Sequence, residues 1–299
     1  MPAASTWVAG ARPRTLPAAI VPVAVGVAAA WREGDPVGAF AGGESAAWGR
    51  AALALGVSLA LQVGVNYAND HADGVRGTDA HRVGPVRLVG SGLASAAAVR
   101  RAALAALAVG AACGVALSAL TSWWLVAIGV AAVVAAWTYT GGPRPYGYMG
   151  LGEAFVFAFF GIVATTGTSY AVGGATGPAA WWAGSAIGAW ACALLAVNNA
   201  RDRATDAAAG KRTLAVRLGD RGARRWYAAL VAVGFACASC AAWSAPWAAL
   251  VWLSAPLAVA PLRDVLGGAE GPRMIVALGA TARLHLVAGL ALAVGISIG

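Results

Sequence analysis

Negative charge is what this chain has least of. Among 299 residues there are 12 acidic side chains against 21 Lys and Arg, only 3 His, and a charged fraction of 11%. With 60% apolar residues, so little charge cannot clothe an ordinary soluble domain, and the chain falls in the membrane class. Cysteine is scarce too. Cys113, Cys192, Cys237 and Cys240 all lie inside apolar runs, which excludes a disulfide framework. Cys237 and Cys240 have CxxC spacing, but no other Cys or His stands nearby to complete a metal or redox site, and core packing is the favoured reading. Nothing is left over for a soluble domain, linker or low-complexity tail, so residues 1–299 read as a single transmembrane domain.

What is present is a series of long apolar runs. A bilayer is crossed by about 17 to 25 such residues. Nine runs can be marked, at roughly 15–31, 47–70, 96–118, 121–139, 150–172, 178–199, 222–243, 246–262 and 275–297. The expected fold is therefore an all-α integral membrane bundle of nine transmembrane helices, with two Asp-rich motifs on its cytoplasmic side. Arg12 and Arg14 before an apolar stretch ending Ala28-Ala29-Ala30 imitate a secretory signal, but that run is long enough to span and further spans follow at once. An odd number of crossings puts the termini on opposite sides.

Loop charges set the orientation. The basic residues of the loops around Arg12, Arg76, Arg100, Arg144, Arg201, Lys211, Arg225, Arg263 and Arg273 share one side, and Arg32 and Arg50 fall on the other. By the positive-inside rule the N-terminus and both Asp clusters face the cytoplasm of a cell membrane and the C-terminus lies outside. Trp31, Trp48, Trp123, Trp124, Trp181, Trp182, Trp243 and Trp247 sit where an outer aromatic belt belongs. The formal charge of +9 is spread through short loops, which favours topology control and an anionic ligand over nucleic acid. No obligatory protein partner is evident.

The few acids are not scattered. Five of the twelve are Asp70, Asp73, Asp79, Asp202 and Asp206. If the helix that starts near Ala51 continues to Asp73, Asn66, Asn69, Asp70 and Asp73 share one face, and Gly74 and Gly77 then break it and let Asp79 fold back. A carboxylate at membrane depth costs about 2.5 to 3.5 kcal/mol, so two on one face imply a wet cavity, a cation, or both. Oxygen-only ligands point to a hard cation, and Mg²⁺ fits best because it keeps water and is held by one or two carboxylates plus substrate phosphates. The competing reading is a solvated helix end whose acids cap a loop. Asn198, Asp202 and Asp206 step by four and repeat the arrangement, followed by a basic loop at Gly210-Lys211-Arg212. Two such ends on one side point to facing carboxylate sites around a diphosphate, with loop Lys and Arg completing its neutralisation.

Here the sequence resembles the UbiA-type intramembrane prenyltransferases. Asn69-x3-Asp73-x5-Asp79 is similar to their first Asp-rich motif and Asn198-x3-Asp202-x3-Asp206 to their second. The branch that prenylates 1,4-dihydroxy-2-naphthoate in menaquinone synthesis is closer still. The residues that carry this likeness are Ala11 to Leu16, Gly84 to Leu88, Tyr139 to Tyr148 and Gly210 to Ala215. In the commonest spacing the last acid of the first motif follows Asp73 by one helical turn; here it is Asp79, after two glycines, so whether Asp70 or Asp79 is the nearer metal ligand stays open.

The resemblance implies transfer of a polyprenyl group from its diphosphate to the naphthoate, with loss of CO₂ and diphosphate. It makes Asp73 and Asp202 the principal Mg²⁺ ligands, helped by Asp70, Asp79 and Asp206, with Asn69 and Asn198 orienting ligands or phosphate oxygens. Lys211 and Arg212, with Arg76 and Arg87, would take the remaining diphosphate charge. Tyr139, Arg144, Tyr146 and Tyr148 would meet the aromatic acceptor, Arg144 pairing with its carboxylate and the tyrosines facing ring and cation. The Gly-rich stretch from Gly74 to Ser95 has the composition of a lid or of an ordinary exposed loop. Glu153 reads as a base or as a helix N-terminal charge, and Arg283 and His285 as intramembrane ionisable groups with a functional or a packing role. Two rivals stay open: the same chemistry on 4-hydroxybenzoate or another aromatic acceptor, and a cation-coupled transporter, which would need its polar residues at the midplane of broken helices.

Overall fold

The computed structural model describes residues 3–77 and 87–298, and within them the chain is helical with no strand. Asp79, His81 and most of the Gly84–Leu88 stretch lie outside the described residues. A short helix α1 (Ala4–Ala11) ends at Arg12, which takes a left-handed conformation at φ 53°. A tight turn over Pro13–Thr15 then leads into α2 (Pro17–Glu33), bent by 52° from what precedes it. Pro17 stands in the first turn, where its missing N–H is no loss.

The long helix α3 (Gly43–Arg76) has 34 residues. At a rise of 1.5 Å each it is about 50 Å long, well beyond a hydrocarbon core of about 30 Å, so an end of it must emerge. That end carries Asn66 to Asp73 and stops at Gly77, whose φ of 70° closes the helix with a left-handed cap. Next come α4 (Ala96–Leu120), whose Ser95 side chain accepts from the Ala98 N–H, and the 14-residue α5 (Leu125–Thr138).

After a turn over Tyr146–Met149, α6 (Gly152–Val156), a π-helical stretch (Phe157–Val163) and α7 (Ala164–Gly173) form one rod. The rod widens where it touches α8 (Pro178–Ala208): a Cβ on Gly161 would lie 2.4 Å from Gly188 Cα, so these backbones meet directly. α9 (Leu214–Ala241) is capped by the Thr213 hydroxyl and kinked at Gly219. A 3₁₀ stretch (Pro246–Ser254) bends by 50° into α10 (Pro256–Leu266), and α11 (Pro272–Ile298) closes the bundle.

All nine expected runs fall on helical segments, but their lengths are uneven. Among the described residues five helices are long and apolar enough to cross a bilayer, or seven if each bent pair is one span. α5 is shorter than a full crossing, and α9 opens with Arg217, Arg221, Arg224 and Arg225. The central helix is α8: 72% of its apolar window is buried, against 28% for α4. Around it a single apolar cluster joins α2, α9, α10 and α11 through Val25, Ile187, Trp190, Tyr227, Val265 and Leu292. The outward faces of α4, α5 and α11 expose Leu104, Val109, Val130, Val134 and Leu290, and all eight expected belt tryptophans are exposed.

Arg32 and Arg50 are tied down at the end away from the Asp motifs. Arg32 donates to the Ser244 carbonyl, and the buried Arg50 donates to the carbonyls of Pro36 and Val172 over the Phe40 ring. Of the ionisable pair in α11, His285 is fully buried with neither ring nitrogen hydrogen-bonded.

Candidate active site

The emergent end of α3 spends its polar face on four different neighbours. Asn66 donates to the Ala11 carbonyl and to the Thr15 hydroxyl, which pins the N-terminal turn to α3. Asn69 Oδ1 accepts the Thr140 hydroxyl at 2.7 Å. Asp70, fully buried, accepts the backbone N–H groups of Leu88 at 2.7 Å and Val89 at 3.0 Å. Expected as a metal ligand, this carboxylate is turned to the loop backbone, because the two amides offer it both oxygens' worth of donors. Close approach makes that possible: a Cβ on Gly74 would lie 2.5 Å from Val89 Cβ.

One turn on, Asp73 points elsewhere. Its Oδ1 accepts the Tyr148 hydroxyl at 2.8 Å and lies 3.1 Å from Lys211 Nζ, while Oδ2 lies 3.4 Å from Arg87 Nη2. Lys211 Nζ also lies 3.9 Å from Asp206 Oδ1 and 4.7 Å from the centre of the Tyr148 ring. Carboxylates from the two Asp motifs thus share one buried ammonium. The Lys211 N–H donates to the Asp206 carbonyl at 2.8 Å, so α8's own C-terminal turn aims that side chain.

On α8 the second motif brings in a residue that sequence reasoning passed over. Arg201 grips Asp202 with two parallel bonds, Nε to Oδ1 at 2.7 Å and Nη2 to Oδ2 at 2.8 Å, and Nη2 also reaches Asn198 Oδ1 at 2.9 Å. Its position beside Asp202 was the available signal, but adjacent residues on a helix point apart by about 100°, and only the long Arg side chain closes that gap.

Aromatic residues form the wall on the membrane side. Tyr139 meets Tyr146 edge-on with ring centres 5.4 Å apart, and Tyr146 stacks on Phe155 at 3.9 Å. Burial pushes the Tyr146 phenol above its ordinary range, and its hydroxyl donates to the Ala135 carbonyl. Tyr139 also accepts, through its backbone carbonyl, the Gly147 N–H at 2.9 Å, which ties the turn to the end of α5. Glu153 is buried and accepts from Asn199, next to Asn198 on α8.

Two expected residues are placed differently. Arg76 donates to the carbonyls of Thr140 and Gly142 and stacks over Tyr148, bracing the loop rather than facing Asp73. Arg212 is exposed and contributes backbone, its N–H donating to the Tyr148 carbonyl. Arg144 is exposed at the loop's tip with no hydrogen bond or ion pair among the described residues. Asp79 lies outside those residues.

The donor set suits a hard divalent cation. It is all oxygen, from Asp73, Asp202, Asp206 and the two asparagines, and Lys211 already places one positive charge between the motifs. Among the described residues no three acidic, His or Cys side chains converge, so each carboxylate offers one or two ligands and phosphate and water would supply the rest.

A helical bundle of apolar rods with paired Asp-bearing helix ends at one face is the architecture of an intramembrane enzyme handling an anionic, lipid-tailed substrate. Residues 19–266 match the family model described as the UbiA prenyltransferase family, and the chain belongs to that family. It is 46% identical to a Mycobacterium tuberculosis protein named 1,4-dihydroxy-2-naphthoate octaprenyltransferase, over 98% of this chain and 97% of that one. The Escherichia coli protein of the same name is 34% identical, with 97% and 94% covered. Among solved structures, the fold is similar to a UbiA homolog from Archaeoglobus fulgidus bound to GPP and Mg²⁺, with a TM-score of 0.64, 17% identity and 97% and 99% coverage. An apo UbiA homolog from Aeropyrum pernix gives a TM-score of 0.67 at 17% identity, with 93% and 97% covered.

Proposed function

We propose that this protein transfers a polyprenyl group from a polyprenyl diphosphate to 1,4-dihydroxy-2-naphthoate, releasing CO₂ and diphosphate and giving a demethylmenaquinone. Near full-length identity of 46% to a relative bearing that activity in its name carries the reading. The whole chain acts as one nine-span domain of the cell membrane, with N-terminus and site cytoplasmic and C-terminus outside.

The site residues divide the work by charge. Asp73, Asp202 and Asp206, with Asp79, hold Mg²⁺, and Asn69 and Asn198 orient the ligand shell. Bound there, Mg²⁺ neutralises the charge that builds on the diphosphate as its carbon–oxygen bond breaks. Lys211 and Arg87, already against Asp73, turn to diphosphate oxygens, and Arg76 and Arg212 add positive potential at the rim. Tyr148 holds Asp73 through its hydroxyl and leaves its ring face under the ammonium. Tyr139 and Tyr146, backed by Phe155, offer π faces to the allylic cation and keep water from it. Arg144, unpaired and exposed, meets the acceptor carboxylate at the mouth.

Membranes containing the protein are incubated with one polyprenyl diphosphate and, in separate reactions, the naphthoate and 4-hydroxybenzoate. A prenylated, decarboxylated product from the naphthoate is expected. Product from 4-hydroxybenzoate alone would move the assignment to another acceptor, and no product from either would remove it.

A further inference from the structure

Arg201 holds the second motif with part of its guanidinium and leaves one nitrogen over. Its side chain is 4% exposed, Nε and Nη2 are taken by Asp202 and Asn198, and Nη1 is buried with no hydrogen-bond partner among the described residues. A guanidinium is never neutral in a protein, and its planar fork of five N–H donors matches carboxylate and phosphate oxygens in pairs. An ionised N–H buried without an acceptor is unfavourable, and at a binding site an anionic ligand is a group that completes it.

We propose that Arg201 is a further binding residue of the reaction, its guanidinium receiving an oxyanion of a substrate: a diphosphate oxygen or the acceptor carboxylate. The proposal rests on the prenyl-transfer reading above and names the group at the second motif that grips the anion. Two observations place Arg201 there rather than in packing. It straddles Asn198 and Asp202, the two motif residues one turn apart on α8, so whatever those residues receive passes the same guanidinium. Its three hydrogen bonds all go to polar side chains, those of Asp202 and Asn198. An incoming oxyanion gives Nη1 its acceptor, and the fork bridges Asp202 and the anion without losing charge balance.

The test uses full-length detergent-purified protein, with Arg201→Gln, Arg201→Lys and wild type compared for monodispersity and thermal midpoint. Calorimetry measures inorganic pyrophosphate binding in the presence of Mg²⁺, and steady-state kinetics give KM for the naphthoate and for the prenyl diphosphate. Arg201→Gln is expected to weaken at least one anion by about 10-fold or more, with Arg201→Lys recovering part of the loss. Weaker pyrophosphate with unchanged acceptor KM assigns the diphosphate. The reverse assigns the acceptor carboxylate. If both anions stay within about 3-fold of wild type in a folded Arg201→Gln, the proposal is overturned. It is equally overturned if Arg201→Gln and Arg201→Lys both lose stability and affinity together, the mark of a packing residue. Wild-type turnover of the naphthoate in the same preparations keeps these outcomes separate from a failure of the substrate assignment.

Discussion

Lys211 Nζ lies 3.1 Å from Asp73 Oδ1, joining residues 138 positions apart and tying the C-terminal turn of α8 to that of α3. Both side chains are buried, so the pair is screened little by water and holds its geometry. Lys211→Gln is expected to lower kcat/KM for the prenyl diphosphate by about 100-fold, equivalent to about 2.7 kcal/mol of transition-state stabilisation. A steady-state comparison with wild type at saturating acceptor checks it; a change under about 3-fold would remove Lys211 from the diphosphate site.

Asp70 and Asp73 sit one turn apart, yet they face a loop backbone and a cation respectively, so their variants should part company. Asp73→Asn is expected to lose Mn²⁺ binding, followed by electron paramagnetic resonance, together with turnover. Asp70→Asn removes one of the two acceptors of the Leu88 and Val89 amides and should leave Mn²⁺ bound while raising KM for the prenyl diphosphate about 5-fold, or about 1 kcal/mol of lost anchoring. Equal loss of Mn²⁺ in both variants would make Asp70 a ligand after all.

Chelation should silence the enzyme without unfolding it. EDTA is expected to abolish turnover, excess Mg²⁺ to restore it, and the circular dichroism to stay constant throughout, because the bundle's core is built from packed apolar side chains. Activity that survives EDTA would refute the metal assignment.

Arg144 can act on the acceptor without disturbing the diphosphate, since it is exposed and no side chain among the described residues pairs with it. Arg144→Ala should raise KM for the naphthoate by about 10-fold and leave pyrophosphate affinity unchanged. The reverse pattern would move the acceptor away from this loop.

Gly161→Leu tests the fold. A side chain there has nowhere to go against Gly188, so folded protein recovered from membranes should fall sharply and its thermal midpoint drop, whereas Gly129→Leu, where an added Cβ meets nothing within 4 Å, should be neutral.

The class of molecule was readable before any coordinates because hydropathy and charge scarcity are properties of composition: an apolar run must find lipid or core, and an acid in such a run must find a partner. The two Asn/Asp clusters were legible for the same reason, and helical spacing correctly put Asn69 and Asp73 near one another. Spacing could not tell Asp70's task from Asp73's, since both lie within one arc of α3 and only the Leu88–Val89 backbone separates them. Nor could it find Arg201, whose role comes from reaching across its own helix, or show that Arg76 braces a loop.

What the sequence determined by itself was which segments leave water and which helix ends bear carboxylates, both consequences of local transfer energies. What only the tertiary structure decided was which charges meet. Asp73 finds Lys211, Tyr148 and Arg87 because the end of α3, the loop after α8 and the turn over Tyr146–Met149 come together at one place. Electrostatic pairing falls off over a few ångströms, and distances on that scale are set by packing between helices, which no single segment encodes.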